Sequence, residues 1–253
     1  MELFRRKSPG TVPALFLHIQ KTAGTSIIHL ARQYYGDSLL SHGDCWGKSC
    51  EQLHRFRFVS GHIGYDFARH LMPGRYSFTF LRDPAERILS MYYFCRTRNP
   101  EEFDIYRKAH EMDLPQFLES GFHDPCVRKN IWNNQVWQLA HGYAHLDSRG
   151  IDDFDETELL RLAKSHIGEF SHVGFTETFL ADSGRILRDL GLPRVSRMPR
   201  VNETVGRPKD PDVSARVRDL LESLTGLDRR LYDYARNELP RLRRSPQWGW
   251  WHK

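Results

Sequence analysis

Lys21, Thr22, Ala23, Gly24, Thr25 and Ser26 lie between an apolar run, Ala14 to Ile19, and an amphipathic segment, Ile27 to Tyr35. A loop of small and hydroxylated residues joining a buried strand to a helix start presents backbone N–H groups and the positive end of a helix. That arrangement holds a phosphate-like anion. Lys21 adds a point charge, and Thr22, Thr25 and Ser26 add hydroxyl donors. The loop is not a Walker A motif, because Lys21 precedes Gly24 instead of following a second Gly. A second candidate anion site comes later. Arg82 closes the run Tyr76–Leu81, and Ser90 follows about two helical turns on. An Arg fork with a nearby hydroxyl suits a second phosphate. His62, after Gly61 in a turn, is of the type that takes a proton from a hydroxyl near neutral pH, with Asp66 and Glu177 as further candidates.

The elements that must carry these residues are legible in outline. Ala14–Ile19 reads as a buried strand, with Ile27, Ile28, Ala31 and Tyr34 on one face of the next helix. Gly36 to Ser49 reads as a loop, Arg57–Ser60 as a strand, and Tyr76–Leu81 as a stronger strand. Asp83 suits an N-cap, Pro84 the first helical position and Glu86 the capping-box position of a helix running to about Arg96. Thr97 to Pro125 reads as polar and irregular, with one short helix near Pro115–Glu119, and Arg128–His141 as one helix. The run Asp152 to Glu156 reads as a solvated turn before a helix. Val173–Phe175 is then a strand, and helices are expected over Phe179–Leu190, Val213–Leu224 and Asp228–Leu239. Strands alternating with helices imply an α/β protein with a parallel sheet covered on both faces.

Composition sets limits. The 253 residues can bury a full core, and the net charge of +5 fits an anionic ligand while being too mild to imply nucleic acid. No run of about 18 apolar residues exists to span a membrane, and Met1 to Thr11 is basic and polar, so the expected location is cytoplasmic. His42, Cys45, Cys50 and His54 are residue types that could ligate zinc, but in an uncommon spacing. They read as loop residues or a local disulfide, and no metal is expected. Arg87 reads as a structural ion-pair partner and His18 as packing beside the loop. Asn133, Asn134 and Gln135 read as polarity on a helix surface. Trp132, Trp137, Trp248, Trp250 and Trp251 read as packing residues.

His18-Ile-Gln-Lys-Thr-Ala-Gly-Thr-Ser26 and Phe80-Leu-Arg-Asp-Pro-Ala-Glu-Arg-Ile-Leu-Ser-Met-Tyr-Tyr93 resemble the two cofactor motifs of the sulfotransferases that use 3′-phosphoadenosine 5′-phosphosulfate (PAPS). Ser60 to Phe67 is similar to the catalytic-histidine segment of the heparan sulfate and uronyl 2-O-sulfotransferase branch. Val173 to Phe179 and Arg200 to Thr204 resemble later family segments. The likeness runs from about Ala14 to Arg236 and implies a P-loop-like three-layer fold, PAPS as cofactor and no required metal. Ser60 stands where that branch carries a second His two positions before the catalytic one.

The resulting expectation is one sulfotransferase domain over residues 1–253, with peripheral tails at 1–12 and 240–253. It would move the sulfuryl group in line from PAPS to a hydroxyl of a carbohydrate or glycosylated small molecule. Lys21 to Ser26 would grip the 5′-phosphosulfate, with Lys21 offsetting charge on the leaving oxygen. Arg82 and Ser90 would hold the 3′-phosphate, and His62 would act as general base. Thr97 to Pro125 is the expected acceptor wall. Two other classes fit parts of the chain. A P-loop kinase-like phosphotransferase would need a carboxylate for Mg²⁺, for which Asp83 is the candidate. A non-catalytic nucleotide or nucleic-acid binder would use Arg241 to Arg244 and the tryptophans.

Overall fold

The computed structural model describes residues 12–41, 45, 47–142, 150–193 and 214–244. Five strands, β1 (Ala14–Leu17), β2 (Leu39–Ser41), β3 (Phe58–Gly61), β4 (Tyr76–Leu81) and β5 (His172–Phe175), form one sheet in the order β2-β3-β1-β4-β5. Every neighbouring pair is parallel, so each connection must cross over, and helices supply the crossovers. α1 (Gly24–Tyr35) leads from β1 towards β2, α2 (Cys50–His54) precedes β3, and α3 (Tyr65–Ala68) follows it. Between β4 and β5 lie α4 (Pro84–Cys95), α5 (Asp104–Glu111), α6 (Leu114–Ser120), α7 (Pro125–Ile131), α8 (Asn134–Ala140) and α9 (Glu156–Ile167). After β5 come α10 (Phe179–Asp189), α11 (Ala215–Leu224), α12 (Gly226–Asp233) and α13 (Leu239–Arg244).

β1 is apolar on both faces because both are covered. Ala14 and Phe16 pack with Ile27, Leu30 and Ala31 of α1 and with Ile186 and Leu187 of α10. Leu15 and Leu17 join the larger core with Ile88, Leu89 and Met91 of α4 and with residues of α8 and α9. The result is a three-layer α/β fold of P-loop-like kind. β1 hands the chain to α1, towards the β2 edge, while its neighbour β4 hands it to α4, on the opposite face and towards β5. Between the carboxyl ends of β1 and β4 the sheet therefore opens a crevice, the place where such sheets bind ligands.

Several expectations are corrected. The loop read over Gly36 to Ser49 contains β2, a strand of three residues held by parallel pairing with β3. The stretch read as irregular holds the expected short helix, α6, and a second one that was not expected, α5. α5 pairs Arg107 with Asp104, and α6 begins at a capping box in which Asp113 and Gln116 exchange hydrogen bonds. The helix read over Arg128–His141 is two helices, broken at Trp132 and Asn133, where Asn133 adopts a left-handed φ of 39°. The last helix read, Asp228–Leu239, begins at Gly226 and passes through a π-helical turn over Tyr234–Glu238 before α13. The helix expected after the acidic run is found as α9, and Asp155 caps it, accepting from Thr157 and Glu158 N–H. Trp132 and Trp137 are buried core residues, as expected. His42, Arg200 to Thr204, Trp248, Trp250 and Trp251 lie outside the described residues.

Candidate active site

The loop after β1 is built for close approach to an anion. Lys21 and Ala23 both take left-handed φ angles, 69° and 65°, and no side chain caps α1. The Ser26 N–H donates to the Ala23 carbonyl at 3.2 Å, and no acidic residue in that turn competes with an anion for the helix start. Thr22 is fully buried, and its hydroxyl donates to the Ile19 carbonyl at 2.8 Å, so its proton braces the loop. Gly24 is required by packing: a Cβ there would stand 1.9 Å from Nε2 of His18. Lys21 lies with its ammonium 3.6 Å from the centroid of the Phe94 ring. Burial lowers its pKa to about 8, and Arg82, Arg98 and Arg87 push the same way.

His62 follows β3 and turns back onto the end of β1. Its Nδ1 lies 2.9 Å from the backbone carbonyl of His18, and the two imidazoles pack with centroids 4.4 Å apart. A carbonyl only accepts, so Nδ1 carries the proton and Nε2 of the neutral ring keeps its lone pair. The other candidate bases are engaged elsewhere. Asp66 accepts from Nδ1 of His141 at 2.7 Å, and Glu177 accepts from the Asp83 N–H at 2.9 Å.

Arg82 leaves β4 beside the loop. Its guanidinium donates to the Lys21 carbonyl at 3.2 Å and reaches Glu86 at 3.5 Å, tying the two candidate anion sites together. Ser90, on α4, is buried. Asp83 caps α4 through the Glu86 N–H at 3.1 Å and pairs with Arg229 at 2.7 Å, so it serves as a helix cap and not as a carboxylate free to hold Mg²⁺. The Glu86 side chain pairs with Arg82 instead of completing the expected capping box.

The sequence model of the sulfotransferase family matches residues 11–235, nearly the whole chain and every element of the crevice. The chain belongs to the sulfotransferase family. No curated protein matches it. The family's sulfuryl donor is PAPS.

In this sulfotransferase the polar start of α8, expected on a helix surface, faces inward. Asn133, Asn134 and Gln135 are buried. Asn133 Oδ1 accepts from the N–H groups of Leu227 and Asp228 at 2.9 and 3.0 Å. Asp228 in turn accepts from the N–H groups of Gln135 and Val136 at 3.2 and 2.7 Å. α8 and α12 therefore cap each other's first turns. Burial raises the Asp228 carboxyl to about 6, opposed by the charge of Arg87 and by the N–H donors. Arg87, read as a structural ion-pair partner, is wholly buried and donates to the Asn130 carbonyl at 2.9 Å. Gln135 and Gln138 reach forward from α8 to the strand ends; no local pattern marks either one.

All four cysteines are free thiols, and Cys45 donates to the Ser60 carbonyl at 3.2 Å. Among the described residues no cluster of three or more His, Cys, Asp or Glu could hold a metal ion. No described helix is long and apolar enough to cross a membrane.

Proposed function

We propose that this sulfotransferase transfers the sulfuryl group of PAPS to a hydroxyl of a carbohydrate or a glycosylated small molecule, with His62 as general base. PAPS, when bound, supplies the activated sulfuryl group. The left-handed turn at Lys21 and Ala23 and the uncapped start of α1 suit its 5′-phosphosulfate. Thr25 and Ser26 stand in the first turn of α1 as hydroxyl donors, and the Gly24 backbone can approach closely. Lys21 offsets charge that grows on the departing phosphate oxygen. Arg82 and Ser90 hold the 3′-phosphate and so favour PAPS over nucleotides with a bare ribose.

The observation that carries the reading is the contact between His62 Nδ1 and the His18 carbonyl. It fixes the tautomer whose Nε2 can take a proton, on the turn that borders the anion loop. The protein's own part is positioning, charge compensation and removal of one proton. The acceptor is proposed to be a small glycoside, glycolipid or short oligosaccharide. Ser60, where the polysaccharide branch has a second His, and the modest net charge of +5 support that choice. The idea that Thr97 to Pro125 forms the acceptor wall drew on irregular structure and loses that support, since the stretch is largely α5 and α6.

His62→Ala is the test. Loss of a general base lowers the rate by about 10²–10⁴-fold. The variant should show that loss in sulfate transfer while binding 3′-phosphoadenosine 5′-phosphate (PAP) as the unaltered protein does. Near-normal turnover would remove His62 from the base role and turn attention to Asp66.

A further inference from the structure

Two glutamines on one face of α8 reach the three strand ends that carry the site. Gln135 and Gln138 are three residues apart, so they project side by side. Gln135 makes a two-point contact with the backbone of Arg82: its Oε1 accepts from the Arg82 N–H at 3.0 Å, and its Nε2 donates to the Arg82 carbonyl at 3.0 Å. Gln138 Nε2 donates to the His18 carbonyl at 3.0 Å and to the Ile63 carbonyl at 2.9 Å. The His18 carbonyl is the group that His62 Nδ1 also uses. Both side chains are almost wholly buried, 1% and 0% exposed. Gln138 Oε1 has no hydrogen-bond partner among the described residues. A buried acceptor left unmade costs free energy. Gln138 is thus held for its donors, not for a satisfied amide.

We infer that α8 is a positioning helix with two separate outputs. Gln135 sets the backbone of Arg82, and through it the reading of the 3′-phosphate. Gln138 ties the turn carrying His62 to the end of β1, and through it holds the His62 ring in the tautomer that accepts a proton. The helix can do this because its own start is fastened by Asp228, across α12. A side chain fixed at two points transmits position, and errors of about 1 Å in such supports are enough to spoil a site. This inference rests on the roles proposed above for Arg82 and His62.

The test is a double dissociation that needs no acceptor. Gln135→Met, Gln138→Met and Arg82→Ala are compared by calorimetry with PAP and AMP. Their His62 rings are compared by ¹⁵N spectroscopy of histidine-labelled protein, with the His62 signal assigned from His62→Ala. Gln135→Met should reduce the preference for PAP over AMP about tenfold and leave the His62 ring protonated on Nδ1. Gln138→Met should keep the PAP preference and show a mixture of His62 tautomers. If either methionine variant fails to fold, the Glu variant of that position, similar in shape but without the amide donors, takes its place.

A purely structural role would move both readouts together in both variants. That result, or no change in either, overturns the inference. The Arg82→Ala arm separates the layers. If it leaves the PAP preference intact, the 3′-phosphate reading is what has failed, and the Gln135 role falls with it. If it abolishes the preference while Gln135→Met does not, the positioning role alone is wrong.

Discussion

The ammonium of Lys21 and the guanidinium of Arg98 share one aromatic ring, lying 3.6 and 4.5 Å from the centroid of Phe94. Neither cation has a carboxylate partner among the described residues. A buried ammonium beside other positive charges loses its proton more readily, and Lys21 titrates at about 8. An anion bound against it restores the charge. PAP binding should therefore take up a proton above about pH 8, because the free protein has lost one that the complex retains. Affinity should be level between neutrality and about pH 8, then fall by up to about tenfold per unit. Lys21→Arg should stay level over the same range. Calorimetry in buffers of different ionisation enthalpy measures both the affinity and the proton. A flat profile for the unaltered protein would contradict this account of Lys21.

Arg82 supplies the next expectation. A charge-assisted contact to phosphate is worth about 1.5–3 kcal/mol, so Arg82→Ala should weaken PAP about ten- to a hundredfold. ADP, which lacks the 3′-phosphate, should lose far less. The Arg82 guanidinium also holds the Lys21 carbonyl, so a small common loss is expected for both nucleotides. Equal losses for PAP and ADP would place Arg82 in loop support instead of 3′-phosphate recognition.

Much of this site could be read from the chain because its chemistry sits where strands end. The apolar run into Lys21, the six-residue strand into Arg82 and the Asp83-Pro84 helix start are all local patterns, and all three are found where expected. What was missed depends on distant partners. Asn133 to Gln135 look like a polar helix surface, yet their hydrogen bonds run to Leu227, Asp228 and Arg82, far away in sequence. Left-handed backbone at Asn133 breaks a helix that side-chain spacing alone shows as continuous. β2 is three residues whose order comes from β3. α6, by contrast, was legible near Pro115–Glu119, and Asp113 and Gln116 form its capping box.

The mutual caps of α8 and α12 give a stability prediction. Asn133→Ala leaves two buried N–H groups without their acceptor and puts at a left-handed φ a residue that tolerates it less well than Asn. The loss should be on the order of 2–4 kcal/mol in chemical unfolding. Asn133→Asp, which keeps the oxygen, should recover part of it. The Asp228 carboxyl adds a pH signature. Its folded value of about 6 lies above the unfolded 3.8, so the folded state holds the extra proton between them. Its contribution is therefore present at low pH and is lost as pH rises towards about 6. Relative to Asp228→Asn, the unaltered protein should lose stability across that window. A constant difference would contradict the raised value.

The proposed reaction is sulfuryl transfer from PAPS to a hydroxyl of a small sugar-bearing acceptor in the crevice between β1 and β4. Its most direct test is transfer of labelled sulfate from PAPS to a mixed panel of glycosides, glycolipids, short oligosaccharides and heparan-type polymer, with Lys21→Ala run beside the unaltered protein. Label is expected on a hydroxyl of at least one small sugar-bearing acceptor, and is lost in Lys21→Ala. Label on the heparan-type polymer alone, or equal labelling by the variant, would contradict it.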